Sequence, residues 1–206
     1  MLHRLRASRA AGLLAGALLL GALATGCSRA PEFASAVVEP PKPVPGFELV
    51  AEGGKPFRLA DLKGQVVVLY AGYTHCPDVC PLTLGHLTVA RGLLPADVRD
   101  EVRVVMITVD PDRDTPELIN QYVHYFDPTF IGVSGSTDEV LAALHEWGVH
   151  PECSTPDANG AYTVSHPATT FVLNRDGMLR LQMSHTLPPE DMARDLAQVA
   201  KEGTRS

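Results

Sequence analysis

Residues 65–81 read QVVVLYAGYTHCPDVCP. The segment 65–71 is a near-continuous apolar run, the pattern of a strand covered on both faces of a sheet. Gly72 and then Cys76-Pro77-Asp78-Val79-Cys80-Pro81 follow. Pro81 has no amide hydrogen, so it belongs in the first turn of a helix. The residues after Cys80, PLTLGHLTVARGLL, have helical apolar spacing. A buried strand passing directly into a helix is the start of an α/β unit. Its connecting loop lies at the carboxyl end of the strand, where ligand sites of such sheets gather.

Working outward, residues 102–109 (VRVVMITV) read as a second buried strand. Thr115 with Pro116 opens a helix reaching about Phe126. Residues 130–133 form a short strand, and 138–147 an amphipathic helix. Strands are predicted at 161–164 and 169–174. A turn at Asn174-Arg175-Asp176-Gly177 leads to a returning strand at 178–183, and a final amphipathic helix covers 188–201. Upstream, 47–60 reads as a small hairpin with Gly53-Gly54 at its turn. The order implies a thioredoxin-like α/β domain over residues 47–206: a central sheet flanked by helices, with an N-terminal hairpin.

The N-terminus carries an address. Arg4, Arg6 and Arg9 precede an uncharged Ala- and Leu-rich run from Ala10 to Gly26, which is the pattern of an export signal. An uncleaved spanning anchor is the alternative, for which the run is short. The run ends Leu23-Ala24-Thr25-Gly26-Cys27, small residues before a cysteine, as in a lipoprotein signal whose Cys27 is lipidated. This gives a signal peptide over 1–26 and an exported, membrane-anchored domain facing the periplasm or cell exterior. Residues 27–46, with Pro31, Pro40, Pro41, Pro43 and Pro45, read as an irregular, extended tether.

Apolar residues make up 45% of the chain and charged residues 20%, as in ordinary globular proteins. The net charge is −7, more negative once the leader arginines are removed, and no basic stripe is present. That argues against a nucleic-acid partner. There is no P-loop, nucleotide-binding glycine fingerprint or serine nucleophile motif.

Four cysteines are too few for a disulfide scaffold, so chemistry is the better use for Cys76 and Cys80. A helix N-terminus favours thiolate, the form that binds metal and attacks disulfides. Sulfurs of a disulfide lie ~2.05 Å apart, whereas two sulfurs sharing a metal at ~2.3 Å can lie nearly twice as far apart. The CxxxC spacing suits the wider separation and leaves a disulfide open. Soft thiolates select Cu(I), Zn(II) or Fe–S clusters. A third ligand is sought elsewhere, and His166 in Tyr162-Thr163-Val164-Ser165-His166-Pro167 is the candidate, because the loop before the following strand faces the cysteine helix in thioredoxin folds. A surface or satisfied core histidine is the plain alternative.

The stretches YAGYTHCPDVCPLTL, ITVDPDRDTPE, YFDPTFIGVSGS and YTVSHPATTFVLNRDG, in this order over residues 70–177, resemble the Sco/SenC family. The resemblance implies a thioredoxin fold that binds copper through CxxxC and a distant histidine, hence Cys76, Cys80 and His166, with Cu(I) as cargo and Cu(II) as the alternative state. It implies delivery of copper to the CuA centre of cytochrome c oxidase subunit II, or reduction of that centre's cysteines. Another periplasmic copper chaperone or a thiol reductase would be a further partner. The competing classes are therefore a metallochaperone, a thiol–disulfide oxidoreductase cycling a Cys76–Cys80 disulfide, and a copper or redox sensor. Pro167 departs from the family pattern; other thioredoxin-like proteins carry a cis proline there, which adds weight to redox chemistry.

Other residues invite weaker readings. Asp78 suits an N-cap for the Cys80 helix better than an axial ligand. His75 either tunes Cys76 or faces solvent. Asp110, Asp112 and Asp114 imitate a calcium loop, but Thr115 and Gln121 stand where Gly and Glu are needed. Their loop is expected at a docking surface. Cys153, near His150, is a free thiol, a resolving cysteine or an accessory ligand. His86, His124, His145 and His185 show no ligand spacing.

Overall fold

The computed structural model describes residues 32–202. The expected signal peptide and the lipidated Cys27 lie outside the described residues. In chain order the strands are β1 (Ala36–Pro43), β2 (Glu48–Ala51), β3 (Lys55–Arg58), β4 (Val66–Gly72), β5 (Val102–Thr108), β6 (Ile131–Val133), β7 (Glu152–Cys153), β8 (Val164–Ser165), β9 (Thr170–Leu173) and β10 (Met178–Met183). The helices are α1 (Val79–Gly92), α2 (Ala96–Arg99), α3 (Pro116–Phe126), α4 (Thr137–Glu146) and α5 (Pro189–Lys201).

Six strands form one mixed sheet in the order β1-β10-β9-β4-β5-β6. The apolar run read first becomes β4, and all its residues are buried. It pairs in parallel with β5 and antiparallel with β9, so Val68 sits between Val104 and Val172. Hence β4 is the centre of the core, and its carboxyl end opens into the Cys76–Cys80 loop. The fold is the α/β, thioredoxin-like architecture the element order implied, with β2–β3 as the added hairpin.

Local chemistry explains the helix starts. The Thr115 side chain accepts from the Leu118 amide, and Pro116 occupies the first helical position. Ser136 and Glu139 form a reciprocal capping box at α4. Helix α3 lies close against β6 because Gly132 has no Cβ; one placed there would come within 2.8 Å of the Ile119 carbonyl carbon. The Asn120 side chain seals the contact, donating to the Gly132 carbonyl and accepting from its amide.

Three expectations are corrected. The tether does not run irregularly to Gly46: the compact unit begins at Phe33, and residues 36–43 pair with β10 as an edge strand. Prolines are tolerated there because an edge strand leaves amides unpaired. The segment is also tied down. The buried Asp195 carboxylate of α5 accepts from the amides of Ala34 and Ser35 and from the Ser35 hydroxyl. The strand expected at 161–164 is only Val164–Ser165, paired with Glu152–Cys153. Finally, Glu39–Pro40 is the one cis peptide among the described residues, so the His166–Pro167 bond is trans.

Candidate metal centre

Helix α1 begins at Val79, with Asp78 at the N-cap position, but the Asp78 side chain makes no capping bond. The free amide of Cys80 instead donates to Cys76 Sγ at 3.4 Å. The sulfur thus takes the place of a capping oxygen, where the helix N-terminus favours negative charge. Cys76 is half-buried and Cys80 is fully buried beneath it. Both are free thiols, as is the exposed Cys153.

The loop after β8 brings His166 over this pair. Its Nε2 lies 3.6 Å from Cys80 Sγ. A nitrogen at ~2.0 Å and a sulfur at ~2.3 Å from one metal in a trigonal plane would lie about 3.7 Å apart. The ligand atoms of Cys76, Cys80 and His166 all fall within 4.8 Å of one another, and among the described residues they form the one group of three able to hold a metal ion. The tautomer also fits. Pro167's carbonyl, 3.1 Å from His166 Nδ1, can only accept, so Nδ1 carries the hydrogen and Nε2 presents its lone pair. Burial lowers the His166 pKa, keeping the ring neutral as a ligand must be.

Cys80 is under opposing influences. Burial pushes its thiol up to about 12, against the donation it receives from Tyr70. The Tyr70 hydroxyl, on β4, is 3.2 Å from the sulfur, and burial holds that phenol far above its ordinary pKa. Gly72 makes room: a Cβ there would approach Tyr70 Cε1 to 2.7 Å and Cys80 Sγ to 3.0 Å. The His166 ring sits edge-on to Tyr70 and Tyr73, at 6.2 and 5.9 Å.

Two aspartates from the loop after β5 brace the site. Asp114, fully buried, accepts from the Thr74 amide and hydroxyl and from the Thr108 hydroxyl. It thereby fixes the chain just before Cys76. Asp110 accepts from the Tyr162 hydroxyl at 2.9 Å and from Arg113. Arg113 in turn lies 3.5 Å above the Tyr162 ring and donates to the Tyr162 carbonyl. Burial and the Asp110 contact push the Tyr162 hydroxyl up to about 12. The Tyr73 hydroxyl accepts from the Val164 amide, tying the cysteine loop to the histidine loop. These roles were not assigned from the sequence. The signal was three aspartates directly after a buried strand, and burial of two of them is what turns charge into bracing. Asp112 accepts instead from Thr137 at the start of α4.

His75 is exposed and stands beside Thr74 and Asp114, outside the ligand group. Cys153 is on β7, also outside it. No helix among the described residues is long and apolar enough to cross a membrane.

The sequence profile of the SCO1/SenC family matches residues 37–201. A candidate copper-binding protein of Stutzerimonas stutzeri is 35% identical over 156 residues, covering 76% of this chain and 76% of that protein. The mitochondrial SCO2 homolog of Homo sapiens is 39% identical over 133 residues, which is 64% of this chain and 50% of that protein, so this chain spans about half of that relative. Among solved structures, copper-bound ScoI of Bradyrhizobium japonicum superposes with a TM-score of 0.70 at 32% identity, over 76% of this chain and 99% of that one. With a sheet built on β4, a group of two cysteines and one histidine at its carboxyl end and a match over most of its length, the chain belongs to the SCO1/SenC family.

Proposed function

We propose that this chain binds one copper ion through Cys76, Cys80 and His166 and passes it to the CuA centre of cytochrome c oxidase subunit II. The observation that carries the reading is the convergence of two sulfurs and a deprotonated imidazole nitrogen within 4.8 Å. Such a soft, three-ligand set suits Cu(I). Its setting suits transfer: Cys80 is buried, while Cys76 and His166 are half-exposed at the rim, where an incoming thiolate can displace them one at a time. Copper is cargo here, so no turnover of a small molecule is involved. The same reading places the domain outside the cytoplasm, held to a membrane by lipid on Cys27.

A second reading, thiol–disulfide exchange with the CuA cysteines, draws on the same asymmetry. Cys76 is the accessible, amide-capped sulfur and Cys80 the buried one beneath it, as for an attacking and a resolving thiol. His166 separates the two. Copper transfer needs the imidazole, whereas thiol exchange needs only the sulfurs. Under the transfer reading, His166→Ala and Cys76→Ser strains both lose CuA-oxidase activity. The assay is oxidase turnover together with the redox state of the CuA cysteines. Normal oxidase in His166→Ala beside failure in Cys76→Ser would replace copper transfer with thiol exchange.

A further inference from the structure

His145 and His150 are five residues apart, a spacing that puts them on different sides of a continuous helix. The helix, however, ends between them. Glu146 is the last residue of α4, and Gly148 follows at φ +71°. The Gly148 amide donates to the His145 carbonyl, and the Val149 amide to the Leu144 carbonyl. This is the Schellman arrangement, in which a left-handed glycine turns the chain back over the last helical turn. Buried Val149 and Leu144 anchor the reversal. It returns His150 onto His145, with ring centroids 4.7 Å apart and planes inclined at 37°.

That separation has a chemical meaning. With metal–nitrogen bonds of ~2.0 Å and roughly another ångström from nitrogen to ring centre, two imidazoles on one ion place their centroids about 4.5–5 Å apart for cis or tetrahedral angles. Both residues are exposed, so an ion reaches them from solvent. Among the described residues neither ring forms a hydrogen bond to protein, which leaves every ring nitrogen available. The electrostatics agree. The pair lies at the C-terminal end of a ten-residue helix, where the macrodipole favours a cation. No Lys or Arg occurs between Arg113 and Arg175, while Glu146 and Glu152 flank the two histidines in sequence.

We propose that His145 and His150 form a second, surface metal site that takes a divalent first-row cation, Cu(II) most tightly. Imidazole nitrogens with open remaining positions suit Cu(II), which heads the affinity order of such ions. The site holds no sulfur, so it differs in kind from the thiolate centre and does not depend on that centre's function. It has a structural link to it. His150 precedes Glu152, and β7 pairs Glu152 with Ser165, the residue before His166.

The test uses the tag-free full chain in mild detergent, in a background with Cys76, Cys80 and Cys153 replaced by Ser and His166 by Ala. Circular dichroism verifies the fold. Cu(II) is added in glycine buffer as a weak competitor, and bound copper is read by electron paramagnetic resonance. The expected result is one Cu(II) retained per chain with coupling to two imidazole nitrogens. His145→Ala and His150→Ala should each lower the affinity about tenfold or more, as loss of one of two linked ligands does, while His124→Ala leaves it unchanged. The same comparison on the wild-type chain preloaded with Cu(I) gives the reading should the background variant not fold. Copper stripped by glycine, or retention in either single variant equal to that of the parent, overturns the proposal and leaves the rings as a tilted pair only.

Discussion

At the scale of single residues, the centre turns on how Cys80 is held. Its sulfur is buried, which opposes thiolate, and Tyr70 supplies the donor that favours it. Tyr70→Phe keeps the ring and removes only that hydroxyl. The Cys80 thiol should then move higher still, and Cu(I) affinity at neutral pH should fall. The metal must displace the Cys80 proton, so affinity rises with pH, by about tenfold per unit for that one proton. Folding stability responds with the opposite sign. A thiol raised from 9.0 to about 12 contributes stability that is present below the unfolded value and lost as pH climbs through that window. Ultraviolet thiolate titration and a competitive Cu(I) titration at several pH values measure both effects. An unshifted Cys80 titration in Tyr70→Phe would show that the hydroxyl does not act on the sulfur. The cost in stability should be small, about 1 kcal/mol, because one buried hydrogen bond is lost without a cavity.

At the scale of elements, β1 is the informative piece. Five prolines in residues 27–46 argue for a free tether, and local propensity is correctly read in saying so. The edge strand forms because distant groups meet it. Asp195 on α5 collects three donors from residues 34 and 35, and Arg180 on β10 reaches the Val38 carbonyl and the Glu39 carboxylate. None of these partners is near in sequence. Asp195→Ala therefore strips a buried capping acceptor and should destabilise the domain by ~2–4 kcal/mol, with the loss concentrated at the N-terminal edge. Hydrogen exchange should show β1 amides opening first, together with a lower thermal midpoint. Unchanged protection of residues 36–43 would mean that sheet pairing alone holds the strand. By contrast, the starts of α3 and α4 were legible locally: Thr115 with Pro116 punctuates the chain without tertiary help, and α4 lies within a residue of its expected start.

On the scale of the whole molecule, the sheet relates the site to the point where the chain enters the domain. Tyr70 pairs with Thr170, Thr170 with Met183, and Gln182 with Ala36. The end of the sheet that carries Cys76, Cys80 and His166 is therefore the end at which β1 begins. With the compact unit starting at Phe33, the chain from Cys27 to Phe33 can span at most about 20 Å fully extended, well short of the long tether read from the prolines. If Cys27 carries the lipid, the site works close to its membrane. Cys27→Ala should leave unprocessed precursor or shift the protein between membrane fractions. Mass spectrometry of the mature chain checks this directly, and an unmodified N-terminus downstream of Cys27 would remove the anchor.

The sequence alone marks the central strand, the helix that follows it, the main alternation of strands and helices from β4 to α4 and the placing of two cysteines at a helix start. Each of these follows from apolar periodicity, proline geometry or cysteine spacing within one short window. His166 was within reach only because the fold's loop order and the family resemblance pointed to it. The rest depends on tertiary structure: that Asp110 and Asp114 are buried braces, that Tyr70 donates to Cys80, that a proline-rich segment joins the sheet, and that a glycine turn brings His150 beside His145. The reason is common to all four. A charge, a hydroxyl, an unpaired edge and an imidazole take their role from what lies across space from them, and a one-dimensional pattern carries the spacing along the chain but not the partner across it.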